Sequence, residues 1–166
     1  MADIPPLSQQ ELKTQLHYNP KTGIFTRLIS TNNGVKTGDN AGTIRKGYIL
    51  IMVLGHRYRG HNLAWLYQTG ELVKYKIDHE DGDGTNNKWD NLRKATKEQN
   101  MQNRKRPKSN TTGIKGVTYH KRSKLWIARC TTNGTRKHLG GFSTPQKAQQ
   151  AYIEAATKSH GEFYHE

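Results

Sequence analysis

Cysteine is almost absent from this sequence, which excludes disulfide bonds within the chain and a zinc site built from several cysteines. The 166 residues contain a single cysteine, Cys130, and either feature needs at least two. Ile127 and Ala128 lie close to it in the chain, which is typical of a buried strand position. A lone thiol of this kind fits a reducing compartment, so we expect an intracellular protein.

Hydrophobic residues are also scarce, and no long apolar run is present. They make up 32% of the chain, whose mean hydropathy is −0.96. A membrane-spanning helix needs about 20 consecutive apolar residues, and the amino-terminal MADIPPLSQQELK lacks the apolar core of a secretory signal. We therefore expect no membrane partner, and one or two small domains with modest cores.

Acidic residues are missing from a long part of the chain. Residues 99 to 153 contain twelve Lys or Arg and no Asp or Glu, and the whole chain carries a formal net charge of +14. Such a charge indicates a polyanionic partner, of which nucleic acid is the commonest. A basic face that is merely solvated is the alternative, and it would have no DNA affinity to lose as salt rises.

The residues that carry chemistry lie between positions 78 and 100. Asp78 and His79 are adjacent, Asn91 follows His79 by twelve residues, and Asn100 follows by nine more. Hydrolysis of a phosphodiester needs a base near neutral pH, which histidine provides, and positive charge beside the phosphate, which a divalent ion provides. Carboxylate and carboxamide oxygens suit hard ions such as Mg²⁺ or Mn²⁺. The pattern predicts a hydrolytic metal site.

Local signals predict a strand, a loop and a return around this site. A short strand at 75–77 delivers the Asp-His pair, a turn-rich loop follows at 81–87, and the chain returns at 91–94. The alternative is that the Asp and Asn residues of this segment only serve turns. We expect that turn role for Asp81 and Asp83, because the Gly and Glu positions of a calcium loop are not in register with them.

A helix should then follow the return. Thr96 is a good N-cap, and the helix it opens carries Asn100 and, on nearly the same face, Asn103. Strand, return and helix are therefore predicted to converge on one point.

The stretch from 77 to 103 resembles the ββα-metal motif of HNH endonucleases, in the variant whose last ligand is asparagine. The likeness includes both spacings and the Asn-Leu-Arg tripeptide that starts at Asn91. It implies that Asp78 and Asn100 bind one divalent ion, Mg²⁺ or Mn²⁺, and that His79 activates a water molecule. It also implies that Asn91 holds the loop between the strands and orients His79.

The motif is similar to that of phage and intron-encoded nicking homing endonucleases. This resemblance implies double-stranded DNA as the partner and, for a phage-encoded chain, the cytoplasm of a bacterial host as the location. One such motif is visible in the chain, so a monomer is favoured and would nick one strand. A double-strand break would need a dimer or two sequential events.

The segment before the motif is expected to support it. We predict a capping-box helix from Ser8 with Leu12 and Leu16 on one face, strands at 24–27 and 47–53, a hairpin return at 56–59 and a helix at 62–68. Arg57 and Arg59 lie two apart on one strand face, where they could touch phosphate. For His61, at the start of the helix, we favour a structural or phosphate role over a catalytic one.

A basic linker is predicted after the motif, at 104–109. Pro107 stops the preceding helix, and its basic neighbours have no apolar partners with which to form a core. We expect Arg104, Lys105 and Arg106 to lie along a DNA groove.

Three short strands and a helix are predicted in the remaining chain. The strands are expected at 113–120, 124–131 and 136–142. Ser143 or Thr144 caps the helix, whose apolar face contains Ala148, Ala151, Tyr152, Ala155 and Ala156.

The phrases GIKGV, LWIAR and HLGGFSTPQKAQQAYIEAA resemble the Apetala and ethylene-response-factor class of DNA-binding domain. Such domains lay their three-stranded sheet in the major groove. Alternation predicts that Trp126, Ala128 and Cys130 face the helix. The residues that would then contact bases or phosphates are Lys115, His120, Arg122, Arg129, Arg136 and His138.

The sequence thus predicts an α+β protein: a ββα-metal HNH nuclease module, then a small three-stranded antiparallel sheet with a helix that binds DNA. The expected domains are 1–103, with the amino-terminal helix and hairpin, the linker 104–109, and 110–166. The expected function is metal-dependent cleavage of DNA phosphodiester bonds, targeted by the second module. A catalytically inactive, sequence-specific DNA-binding regulator is the alternative.

Overall fold

A computed structural model describes residues 7–30, 34–71, 76–96, 99–100, 103, 110, 112–132 and 134–160. The chain divides into two compact units, Met1–Ala95 and Thr96–Glu166. The predicted linker at 104–109 lies outside the described residues, and the division into domains at 103 and 110 stays a prediction.

The first unit opens with a capped helix and a hairpin. Helix α1 spans Gln9–Gln15, and Ser8 and Glu11 form the predicted capping box, with each side chain accepting the other residue's backbone N–H. Strand β1, Leu16–Asn19, pairs antiparallel with β2, Ile24–Arg27. Leu16 therefore starts a strand instead of continuing the helix, because its backbone is already extended.

A three-stranded sheet and a helix follow. Strands β3, Thr43–Arg45, β4, Tyr48–Val53, and β5, His56–Arg59, pair in that order. Helix α2, Gly60–Thr69, ends at Gly70, whose φ of 74° is the left-handed conformation that glycine adopts readily. The β4–β5 hairpin and α2 are confirmed predictions. Strand β3 was not predicted, since its residues are all exposed and leave no alternation in the sequence.

The motif itself forms a second hairpin. Strand β6, Lys76–His79, pairs antiparallel with β7, Leu92–Ala95, and a single 3₁₀ turn, Trp89–Asn91, leads into β7. Ile77 and Leu92 are buried in the core of the first unit. The buried side chains of that core include Leu12, Leu16, Tyr18, Phe25, Ile51, Val53, Leu63, Ala64 and Leu66. As predicted, α2 packs into the same core as the motif.

The second unit has the predicted order of three strands and a helix. Strands β8, Val117–His120, β9, Leu125–Thr132, and β10, Thr135–Phe142, form an antiparallel sheet with β9 in the centre. Helix α3, Pro145–His160, follows. The first strand begins four residues later than predicted because Gly113 and Gly116 take positive φ in a turn.

Helix α3 covers one face of this sheet. Thr144 caps its first turn by accepting the Lys147 N–H at 3.3 Å. Ala128 and Cys130 of β9 are buried against the core that contains Ala148, Tyr152 and Ala156, and Trp126 packs on its margin. The predicted alternation along β9 is therefore confirmed. Among the described residues, no helix is both long and apolar enough to cross a membrane.

Gly116 and Gly134 provide a matched test of this packing, because both have φ of +73°. We expect Gly134→Ala to destabilise the protein by about 1–2 kcal/mol through backbone strain alone, since a Cβ there meets no described atom within 4 Å. Gly116→Ala should cost about 1–3 kcal/mol more, because its Cβ would overlap the Tyr152 ring and lie 2.7 Å from the Arg129 carbonyl oxygen. Urea unfolding followed by circular dichroism would measure both. Equal losses would contradict the close approach of Tyr152.

Candidate active site

Asp78 and His79 occupy the end of β6, where both side chains are 5% exposed. Asp78 lies directly opposite Arg93 of β7, and the Arg93 Nε donates to Asp78 Oδ2 at 3.2 Å. A buried carboxylate needs such a partner, since an unpaired charge is very unfavourable in the interior. The hairpin register thus holds Asp78 as a charged, oriented oxygen donor.

His79 is held by a residue that the sequence analysis did not single out. Its Nε2 lies 3.1 Å from the Asn87 Oδ1, and Asn87 is only 2% exposed. Because a carboxamide oxygen can only accept, Nε2 must carry the proton of this bond. In the neutral imidazole, Nδ1 is then the nitrogen with the lone pair, which is the atom that can take a proton.

Asn87 is fixed from both sides. The Tyr18 Oη donates to the Asn87 carbonyl oxygen at 2.7 Å. Gly60 approaches so closely that a Cβ on it would lie 2.6 Å from Asn87 Nδ2. Nothing local in the sequence distinguishes Asn87 from the turn-forming Asn86 beside it; only packing against a distant tyrosine and glycine does so.

Asn91 braces the loop between the two strands. Its Oδ1 accepts from the Asp81 N–H at 3.0 Å, and its Nδ2 donates to Asp81 Oδ1 at 3.1 Å and to the Asn86 carbonyl at 2.8 Å. The hydrogen bond to the His79 ring comes from Asn87, the residue next to the one that Asn91 holds. The predicted role of Asn91 in orienting His79 would thus act through the loop.

Asp81 and Asp83 fill the turn positions expected of them. Asp81 Oδ1 accepts from the Asp83 N–H at 2.8 Å, and Asp83 Oδ1 accepts from the Thr85 N–H at 2.9 Å. Partial burial alone would raise the pKa of the Asp81 carboxyl, but the hydrogen bonds from Asn86, Asp83 and Asn91 together lower it. Their oxygens therefore order the loop.

His61 lies beside the motif although it is eighteen residues distant from His79 in the chain. The two rings meet edge to face with their centroids 4.9 Å apart, and Tyr48 packs 5.7 Å from His61. Burial, with the nearby charges of His79 and Arg59, lowers the pKa of His61 to about 3. A neutral ring offers no charge to a phosphate, which leaves the structural half of our expectation.

The predicted second ligand, Asn100, lies in the unit that begins at Thr96. Thr96 and Gln99 form a reciprocal cap, in which the Gln99 Oε1 accepts the Thr96 N–H at 2.8 Å and the Thr96 Oγ1 accepts the Gln99 N–H at 3.2 Å. Asn100 and Asn103 donate their backbone N–H groups to Thr96 and Gln99, as in a helix. The predicted N-cap is confirmed, and the pairing of Asn100 with Asp78 stays a prediction.

In the described part of the chain, no group of three or more His, Cys, Asp or Glu residues could hold a metal ion. The predicted set is of another kind, with one carboxylate and one carboxamide. Their oxygens are the donors that Mg²⁺ and Mn²⁺ prefer, and such ions keep several water molecules or phosphate oxygens as further ligands. The donor chemistry of Asp78 and Asn100 therefore fits a hard divalent ion.

The basic residues near the motif lie on β5. Arg57 and Arg59 are both exposed on one face of this strand, and Arg59 stacks over the Tyr48 ring at 4.8 Å. Arg57 lines an open cavity of about 540 Å³ together with Arg27 and Arg45. The predicted Arg104, Lys105 and Arg106 lie outside the described residues.

The second unit presents its basic residues on the sheet face opposite α3. Directly paired residues of antiparallel strands share a face, and Arg129 pairs with His138 while Thr131 pairs with Arg136. His120 lies on this face too, and its Nδ1 accepts from the Ser123 N–H at 3.3 Å. This surface, formed by His120, Arg129, Arg136 and His138, is called the outer sheet face below.

The two remaining candidates of this unit differ from one another. Arg122 is exposed in the turn between β8 and β9. Lys115 is half-buried, and desolvation lowers the pKa of its ammonium group. The contact of Lys115 with DNA stays a prediction, as do those of the other basic residues.

A ββ hairpin that ends in a buried Asp-His pair, followed by a three-stranded sheet backed by one helix, defines a two-module protein of the HNH and AP2 classes. Residues 58–102 match the HNH endonuclease family, and residues 112–162 match the AP2 domain. The chain is 39% identical to Protein 3.8 of Escherichia phage T7 over 82 residues, which cover 49% of this chain and 68% of that protein. The chain therefore belongs to the HNH endonuclease family and carries an AP2 domain.

Other similar proteins match one module or the fold. The AP2-like ethylene-responsive transcription factor TOE2 of Arabidopsis thaliana and the APETALA2-like protein 2 of Oryza sativa subsp. japonica are each 36% identical over 58 residues, 35% of this chain. This chain spans 12% and 13% of those two proteins. A solved structure of the HNH homing endonuclease I-HmuI matches with a TM-score of 0.41 and 21% identity, covering 88% of this chain and 85% of that chain. Both family resemblances predicted from the sequence are confirmed.

The neutral, buried His61 should make the protein sensitive to acid. Its folded-state pKa of about 3 lies below the ordinary value of 6.5, so the unfolded chain binds a proton first as pH falls. The stability due to this group is complete above about pH 6.5 and decreases by up to about 1.4 kcal/mol per pH unit towards pH 3. We expect His61→Asn to flatten the dependence of urea-unfolding free energy on pH in this range. His17→Asn, at an exposed histidine, should leave it unchanged, and an unaltered slope in His61→Asn would contradict the assignment.

Proposed function

We propose that the chain is a metal-dependent endonuclease that hydrolyses phosphodiester bonds of double-stranded DNA, of the nicking or homing type. The observation that carries the proposal is the buried His79, whose Nε2 is bound to Asn87 so that Nδ1 carries the lone pair. Membership of the HNH endonuclease family supports the same reaction class.

His79 acts as the general base in this proposal. Its Nδ1 takes a proton from water, and the resulting hydroxide attacks the phosphorus in line with the bond to the 3′ oxygen. That P–O bond breaks, and the 3′ oxygen takes up a proton from solvent, which leaves 5′-phosphate and 3′-hydroxyl ends. The imidazolium formed on the way still donates through Nε2 to Asn87 Oδ1, so the same contact stabilises both protonation states.

Asp78 and Asn100 would hold the divalent ion, Mg²⁺ or Mn²⁺. When bound, it supplies positive charge beside the phosphate and the departing oxygen. Arg93 keeps the Asp78 carboxylate ionised and oriented before DNA arrives. Asn91 preserves the loop that carries Asn87.

The second unit targets the nuclease in this proposal. The outer sheet face has no acidic residue in its strands and presents Arg129, Arg136, His120 and His138 side by side, which suits the negatively charged major groove. One Asp-His pair per chain favours a monomer that nicks one strand. A relative in a phage supports action on DNA in the cytoplasm of a bacterial host.

A catalytically inactive DNA-binding regulator is the second candidate. One observation favours it: Asp78 already has a cationic partner in Arg93, at 3.2 Å. In such a protein the Asp-His pair would only stabilise the hairpin.

Replacing the base separates these two candidates. We expect His79→Ala to nick supercoiled plasmid about 10²–10⁴-fold more slowly than the wild type with Mg²⁺, because no group is left to take the proton of water. Its affinity for the same DNA, measured with EDTA present, should be unchanged. The control His17→Ala, at an exposed strand position, should nick at the wild-type rate. Wild-type nicking by His79→Ala would rule out the proposed base, and a wild type without activity would favour the regulator.

The outer sheet face can be tested by charge-matched substitutions. We expect Arg129→Ala/Arg136→Ala to weaken DNA binding and to reduce the slope of log affinity against log salt by up to about 2, since up to two phosphate contacts are lost. Lys147→Ala/Lys158→Ala removes the same charge from exposed positions of α3 and should change the slope much less. Filter binding between 50 and 200 mM salt, roughly the range over which such contacts are lost, would measure both. Equal effects would mean that only net charge matters.

A further inference from the structure

His61 has a buried polar atom that the fold does not use. The side chain is 4% exposed, and its Nδ1 has no hydrogen-bond partner among the described residues. Leaving a buried ring nitrogen unsatisfied is destabilising, and an apolar side chain of similar volume would avoid this. Such atoms call for an explanation, which in an enzyme is often a ligand that arrives later.

The position of His61 indicates which ligand this is. Its ring meets the His79 ring edge to face at a centroid distance of 4.9 Å, with Tyr48 behind at 5.7 Å. Since an N···O hydrogen bond spans about 2.7–3.2 Å, two imidazoles at this separation can both reach one water molecule. Asn87 already engages Nε2 of His79, so the shared water would lie on the Nδ1 side.

His61 also has the electrical character that this task requires. Burial and the charges of His79 and Arg59 keep it neutral, so it retains a lone pair and adds no second cation beside the base. A neutral acceptor can bind a water proton but would attract a phosphate only weakly. A water ligand is therefore favoured over a phosphate oxygen.

We propose that His61 is a second catalytic histidine, whose Nδ1 holds the hydrolytic water that His79 deprotonates when DNA is bound. One water proton passes to His79 Nδ1, and the other remains on the oxygen, hydrogen-bonded to His61 Nδ1. The hydroxide then forms its bond to phosphorus as the bond to the 3′ oxygen breaks. His61 neither gains nor loses a proton. The consequence for rate rests on the proposed nuclease function.

Two substitutions separate this role from a structural one. His61→Leu removes the acceptor and fills the space with apolar atoms, whereas His61→Asn places a carboxamide oxygen near the position of Nδ1. We expect His61→Leu to unfold at the same or a higher urea concentration than the wild type, with kcat for plasmid nicking at least tenfold lower and KM unchanged. His61→Asn should nick at least fivefold faster than His61→Leu. Wild-type kcat in His61→Leu, or equal rates for the two variants, would overturn the proposal.

A measurement on the wild type needs neither variant nor cleavage. The ¹⁵N resonance of His61 Nδ1 should shift when duplex DNA is added in the presence of EDTA, because water then binds at that nitrogen. The Nδ1 resonance of the exposed His17 serves as the control. An unchanged His61 resonance with saturating DNA would overturn the role of His61 by itself, whereas an inactive wild type would refute the nuclease function instead.

Discussion

The arrangement of the first unit depends on the burial of Asn87. A fully buried carboxamide must have its hydrogen-bonding groups satisfied, and here its partners come from parts of the chain that are far apart. Tyr18 of β1 supports its carbonyl, Gly60 at the start of α2 makes room for its amide, and His79 of β6 shares its oxygen. These three contacts fix the amino-terminal hairpin, the central helix and the motif around one residue.

Charge is organised in opposite ways at the surface and at the site. The chain carries a net charge of +14, and its arginines lie exposed on β5 and on the outer sheet face. At the buried Asp-His pair, positive charge is restricted to Arg93, which is bound to Asp78, while His61 stays neutral. Attraction of DNA over a long range and proton transfer over a short one therefore make separate demands on different residues.

Sequence reasoning succeeded where the signal is local. The Ser8–Glu11 capping box, the β4–β5 hairpin, the glycine end of α2 and the cap at Thr96 follow from neighbouring residues, and the structure has them all. Strands β1 and β3 were missed, because one follows a helix without a break and the other is exposed throughout. Asn87 and the approach of His61 to His79 depend on contacts between distant segments, which no local pattern encodes.

Because glycine is needed at position 60 and a tyrosine hydroxyl at position 18, the geometry of the Asp-His pair is a property of the whole first unit. A polypeptide that contained only residues 77 to 103 would keep every recognised motif residue, yet it would lack what holds the His79 ring. The recognisable motif and the smallest working unit are thus of different sizes. Exchange of the motif between proteins would transfer its chemistry only together with the hairpin and helix that enclose it.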